Sequence, residues 1–144
     1  MNRRPALAPL LGLVIAAAGC GGADPEEFSK QYAGATAPLE TVFAEIGDLG
    51  PEAAGAEYAA IAADFDDVKE RLAALEAPDG AQEELDALVT ALGEYAEQVR
   101  QIGKAAKADD LDALDTAVAG LAAVGDSWLE AEEQLIIAVG AAAS

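Results

Sequence analysis

The chain has 144 residues, 53% of them apolar, and sets 27 acidic residues against 8 basic ones, with no histidine and one cysteine. A net charge of −19 repels nucleic-acid phosphate and anionic lipid headgroups, which argues against sequence-independent DNA or RNA binding. The missing histidine, the single cysteine and the lone initiator methionine exclude internal disulfides, thiolate–imidazole zinc sites, haem ligation in the mature domain and the Glu-x-x-His pairs of a di-iron bundle.

Residues 1–19 read as a secretory signal: Arg3 and Arg4, an apolar run from Pro5 to Ala18, then small residues. That run is too short to span a bilayer as a mature helix. Ala17-Ala18-Gly19-Cys20 resembles the lipobox of bacterial lipoproteins, which implies cleavage between Gly19 and Cys20 and acylation of the Cys20 thiol. Several acyl chains, at about 0.8 kcal/mol per buried methylene, make such attachment effectively permanent. Two other readings stand beside it: an ordinary signal cut after Ala-x-Ala, and export by the twin-arginine route through Arg3-Arg4. The anchor reading places the protein on the outer side of the cell membrane, with residues 20–24 as a short tether. A chain starting at Cys20 keeps 27 acidic and 6 basic residues.

From Asp24 onward, apolar residues recur at spacings of three and four, and no segment has the period-two alternation of a strand. The first seam is Phe28, Tyr32, Ala35, Leu39, Val42, Ile46; the second is Tyr58, Ile61, Phe65, Val68, Leu72, Leu75. The third is Leu85, Leu88, Leu92, Tyr95, Val99, Ile102. The fourth runs Leu111, Leu114, Val118, Leu121, Val124, Trp128, Ala131, Leu135, Ala138. Asp24-Pro25 reads as a helix start, Gly47 to Pro51 and Ala77 to Gly80 as breaks, and Asp109 or Asp110 as a cap. The pattern predicts an all-α domain over 25–144, an up-down-up-down antiparallel four-helix bundle with helices near 25–47, 51–76, 81–107 and 110–139. On the third helix Val89, Ala96 and Gly103 widen the apolar stripe while Asp86, Glu94, Glu97, Arg100 and Lys104 fall outside it. With 37 alanines the core is expected to be thin. Pro38 should kink or split the first helix, and Gly125, at a phase step, suggests a local bend in the fourth.

Nothing in the sequence nominates a catalytic residue, a cofactor or a metal ligand. Asp64, Asp66 and Asp67 lack the glycine and closing glutamate of a calcium loop and are expected on a solvated face. Asp109, Asp110 and Asp112 are explained by helix capping. Ser29 and Ser127 have no neighbouring base in a recognisable motif. Seam aromatics are expected in the core; a candidate ligand pocket would use Tyr58, Tyr95 and Trp128. Leu135 to Val139 is apolar all round and should leave Ile136 or Ile137 exposed.

Glu27-Phe28, the L-A-A-L-E-A-P of 72–78 and the K-A-A-K-A-D-D-L-D-A-L of 104–114 resemble small secreted helical lipoproteins of high-GC Gram-positive bacteria, a family of unknown function. The resemblance implies a lipid-anchored extracytoplasmic location and a helical fold, with no activity. The sequence thus leads to a non-enzymatic binding or structural module, held to the membrane through Cys20 and contacting another envelope protein. The alternative is a carrier of a small apolar molecule or lipid inside the bundle.

Overall fold

Helix α1 (Pro25–Thr36) begins where the sequence places it: the Asp24 carboxylate accepts from the backbone N–H groups of Glu26 and Glu27, each at 3.0 Å, and Pro25 needs no N–H partner. In this computed structural model residues 22–49, 53 and 55–144 are described. The leader with Gly19, Cys20 and Gly21 lies outside the described residues, as do Gly50, Pro51, Glu52 and Ala54.

Pro38 splits the first helix. Helix α1 stops at Thr36 and α2 (Leu39–Asp48) follows, yet Ala37 and Pro38 keep right-handed helical dihedrals. Ala37 N–H still reaches the Ala33 carbonyl at 3.0 Å, and Val42 N–H reaches that of Pro38 at 3.1 Å. The break is the bond that proline cannot donate, so the two pieces act as one rod.

Helix α3 (Gly55–Ala73) ends at Ala73 rather than near residue 76. Pro78 disfavours helix in the residue before it, and Gly80 turns the chain at φ 81°. Helix α4 (Gln82–Lys107) closes with Asp109 at φ 52° and the N–H groups of Asp109 and Asp110 on the carbonyls of Ala106 and Ala105. That is a Schellman arrangement with aspartate where glycine is usual. Asp110 then caps α5 (Leu111–Ala142) by accepting from Ala113 N–H at 3.0 Å. Helix α5 passes through Gly125 uninterrupted and continues into the alanines of 141–142, the residue type most favourable to helix.

The rods alternate in direction. At one end the start of α1, the α3–α4 turn and the end of α5 meet; at the other, the start of α3 meets the end of α4. The result is an all-α, up-down-up-down bundle in which α4 packs along both α3 and α5. The α1–α2 rod leans on α3, and α1 touches α5 more lightly. Phe65, Leu72, Leu88, Ala96 and Val99 are fully enclosed, and each large apolar side chain removed from water contributes about 1.5–3 kcal/mol.

Two expectations need correction. Gly22 and Ala23, expected in a free tether, are bonded to the body: Gly22 N–H donates to Asp79 Oδ1 at 2.7 Å and Ala23 N–H to the Ala77 carbonyl at 3.3 Å. A Cβ on Gly22 would lie 2.5 Å from Asp79 N, so only glycine fits there. The second concerns the fourth seam: Leu111 is 73% and Val118 51% exposed, while Ala117, Trp128 and Leu135 are buried. Helix α5 is about 48 Å long and the α1–α2 rod from Pro25 to Asp48 about 36 Å, so the rod cannot cover all of it.

Candidate functional site

Tyr58, Tyr95 and Trp128, nominated for a pocket, lie apart from one another among the packed helices of the described residues. Tyr95 packs in the core against Phe65, with ring centroids 4.9 Å apart, and against Phe43 at 5.6 Å, while Phe43 and Phe65 meet edge-on at 5.4 Å. Burial pushes the Tyr95 hydroxyl pKa up. Tyr58 lies against Gly103, about 12 Å further along α4 from Tyr95. Trp128 is buried in the core. The side chains that interdigitate in the middle of a bundle fill it, so seam aromatics leave little room for a ligand.

A cavity does form where the sequence placed none. The first turns of α1 and the last turns of α5 enclose a cleft of about 390 Å³, walled by Pro25, Phe28, Tyr32, Leu135, Ile136 and Val139. It exists because α1 and α5 touch only lightly there. Tyr32 OH donates to Glu132 Oε1 at 2.9 Å beside it. Burial first, then the bond to Glu132 and its charge, push the Tyr32 pKa well above the usual tyrosine value, so this hydroxyl stays a donor.

Charge is arranged rather than scattered. Asp66 lies between Lys69, at 3.0 Å, and Arg100 of α4, tying α3 to α4. Burial pushes its pKa up, but the bonds from Lys69 and Arg100 and their charges outweigh that and hold it below the ordinary carboxylate value. Asp66 is therefore partly enclosed, while Asp64 and Asp67 are exposed as expected. A shallow hollow of about 490 Å³ between α4 and α5 is lined by Glu83, Glu84, Glu94 and Glu130. At the opposite end Arg100, Lys104 and Lys107 border a wider one of about 830 Å³. Among the described residues no three or more carboxylates are grouped to hold a metal ion.

Among the described residues six large apolar side chains are exposed: Phe43 on α2, and Leu111, Val118, Leu129, Ile136 and Ile137 on α5. The exposure of Ile136 and Ile137 follows from the all-round apolar sequence of α5's last turns. Leu129 and Phe43 were missed by the sequence reading, although the spacing 111-118-129-136 was visible in it. Among the described residues no helix is long and apolar enough to cross a membrane. No protein-family model, curated protein or solved structure matches this chain.

Proposed function

We propose that the chain is a lipid-anchored extracytoplasmic helical module that contacts another component of the cell envelope. The observation that carries this reading is the set of large apolar side chains left in water along α5. A monomer gains nothing from exposing Leu111, Val118, Leu129 and Ile136, and contiguous exposed apolar surface marks a place of contact. The leader and its lipobox-like end supply the location. Because Gly22 is bonded to the α3–α4 turn, an acylated Cys20 would hold that end of the bundle within a few ångströms of the membrane, with the long axis free to point outward. The acidic surface keeps the body off anionic headgroups.

Gentle cross-linking of intact cells, followed by recovery of the protein, should enrich one envelope protein repeatedly; consistent failure in the wild type would sink the reading. Cys20→Ala should release the protein from the membrane fraction or leave its precursor uncut. Unchanged anchoring in that variant would remove the lipid from the account.

A second reading is favoured by the cleft between α1 and α5. Its size and apolar walls suit a short acyl chain or a single-ring molecule. Native mass spectrometry of the protein isolated from its own cells would detect an extra mass lost on unfolding. A bare chain from that source would count against a carrier.

A further inference from the structure

One face of α5 is uncovered. Helix α2 packs on α3 and through Phe43 on Tyr95 of α4, but makes no comparable packing with α5. Helix α5 leaves Leu111, Val118, Leu129 and Ile136 exposed, Ile136 also walling the cleft against α1. Their spacings of 7, 11 and 7 residues keep all four within about 20° of one line on a helix turning 100° per residue. Ala122 and Gly140 fall on the same line, and all six positions are exposed. The result is an apolar stripe about 38 Å long and one helix wide.

Charge says what fits there. Asp115, Asp126 and Glu133, all exposed, form a second row about 40–60° around α5 from the stripe. Every basic residue among the described ones lies on α1, α3 or α4: Lys30, Lys69, Arg71, Arg100, Lys104 and Lys107. Helices α2 and α5 have none. We propose that the exposed stripe of α5 receives an amphipathic α-helix of a partner protein, its apolar face laid on Leu111–Ile136 and its flanking lysines or arginines set against Asp115, Asp126 and Glu133. This deepens the contact reading above and rests on it.

The same charges decide against other occupants. A second copy brings the same carboxylates to the contact, and a one-helix stripe is narrow beside the roughly 800 Å² per partner of a standard interface. An anionic bilayer is repelled in the same way. A single partner helix matches both the length and the width of the stripe.

The test uses the full-length chain and a designed probe. The probe is a 25-residue leucine–lysine peptide, with leucines on one helical stripe and lysines alongside. Its controls are a scrambled sequence of the same composition and a version with glutamate for lysine. Binding is read by calorimetry at two salt concentrations. The striped lysine peptide should bind at least about tenfold more tightly than either control. Val118→Asp with Leu129→Asp should weaken it about tenfold or more, and Asp115→Asn, Asp126→Asn and Glu133→Gln together should weaken it and flatten its salt dependence. Should the aspartate pair disturb folding, Val118→Ala with Leu129→Ala replaces it, with a smaller loss expected. Equal binding of striped and scrambled peptides, or indifference to the α5 substitutions, overturns the proposal. A wild-type dimer, or binding to phosphatidylglycerol vesicles, that the α5 substitutions abolish overturns it in favour of those occupants. In cells, cross-links to an envelope protein that survive the α5 substitutions overturn this surface while leaving the broader contact reading intact.

Discussion

Helix α4 buries nine of its 26 residues and α5 only three of its 32, although both are written in the same apolar rhythm. The difference comes from neighbours. Helix α4 has α3 on one side and α5 on the other, so Leu85, Leu88, Leu92, Val99 and Ile102 all find partners. Helix α5 has α4 along its length and α1 at one end. A heptad seam states that a face is fit for burial; the number of rods around it decides how much burial follows. The surplus apolar surface on α5 is the part of the molecule left for something else.

The sharpest way to break this contrast is to truncate a leucine on each helix. Leu88→Ala, at a fully enclosed site, should cost about 2–5 kcal/mol in urea denaturation. Leu129→Ala, at a side chain 62% exposed, should change stability by no more than about 0.5 kcal/mol. A comparable loss at Leu129 would mean that the α5 stripe is covered within the molecule, and the binding argument would fall with it.

Glycines extend the comparison to backbone approach. A Cβ on Gly103 would lie 2.7 Å from Tyr58 Cβ and 3.2 Å from the Gly55 carbonyl oxygen, where α3 and α4 come together. Gly103→Ala should therefore destabilise by about 1–3 kcal/mol. At Gly120 of α5 the nearest atom is Gln98 Oε1, the mobile tip of a side chain. Gly120→Ala should be neutral or gain up to about 1 kcal/mol from helix propensity. Thermal melts of the two variants in parallel would separate the tight interface from the loose one.

Much of this was legible beforehand. On α4 Asp86, Glu94, Glu97, Arg100 and Lys104 fall off the predicted stripe, so most of its buried face could be read from spacing. The split at Pro38 follows from the missing N–H, and the caps at Asp24 and Asp110 from side-chain chemistry. Helix α5 resisted for a physical reason: it carries two apolar lines, Leu111–Val118–Leu129–Ile136 and, about a quarter to a third of a turn away, the line ending in Trp128 and Leu135. A sequence with alanine or glycine between them does not say which line turns inward. The drift of about 20° per heptad lets one seam pass from the first line to the second. Tyr58, Tyr95 and Trp128 pack as seam residues for a related reason, since seam aromatics serve as the filling. The cleft against α1 comes from how lightly two rods touch, which no local pattern encodes.

Asp66 adds a pH dependence to the α3–α4 side. Its carboxyl has a folded pKa below the ordinary value, so the stabilisation it provides is present above the unfolded pKa. That stabilisation is lost as pH falls through the folded one. Asp66→Asn should cost up to about 1 kcal/mol at neutral pH, and the gap from the parent protein should close as pH falls below the usual carboxylate range. Denaturation of both proteins across that range checks the sign. Using the difference between them cancels the general relief of repulsion that acid brings to so negative a chain. A gap unchanged down to the lowest pH would mean that the carboxylate charge contributes nothing there.

Another small effect is expected at the joint between the two helices. Asp109 holds φ 52° so that α4 can end and Asp110 can begin α5 within three residues. The left-handed region costs an ordinary side chain about 1–2 kcal/mol, less for aspartate, whose short polar group bonds locally. Glycine removes that cost, although the freedom it adds to the unfolded chain takes back part of the gain. It also removes a carboxylate from the negative end of the α4 dipole. Asp109→Gly should thus stabilise by about 0.5–1 kcal/mol, and Asp109→Ala should destabilise by a similar amount. Asp109→Asn separates the two causes, because it keeps the tolerance for φ above zero while deleting the charge. If Asn and Gly stabilise equally, the dipole dominates; if only Gly does, the backbone does. A destabilising Gly would mean that the turn is held by the Asp109 side chain, and that the joint between the best-packed and the least-packed helix is fixed by chemistry rather than by conformation.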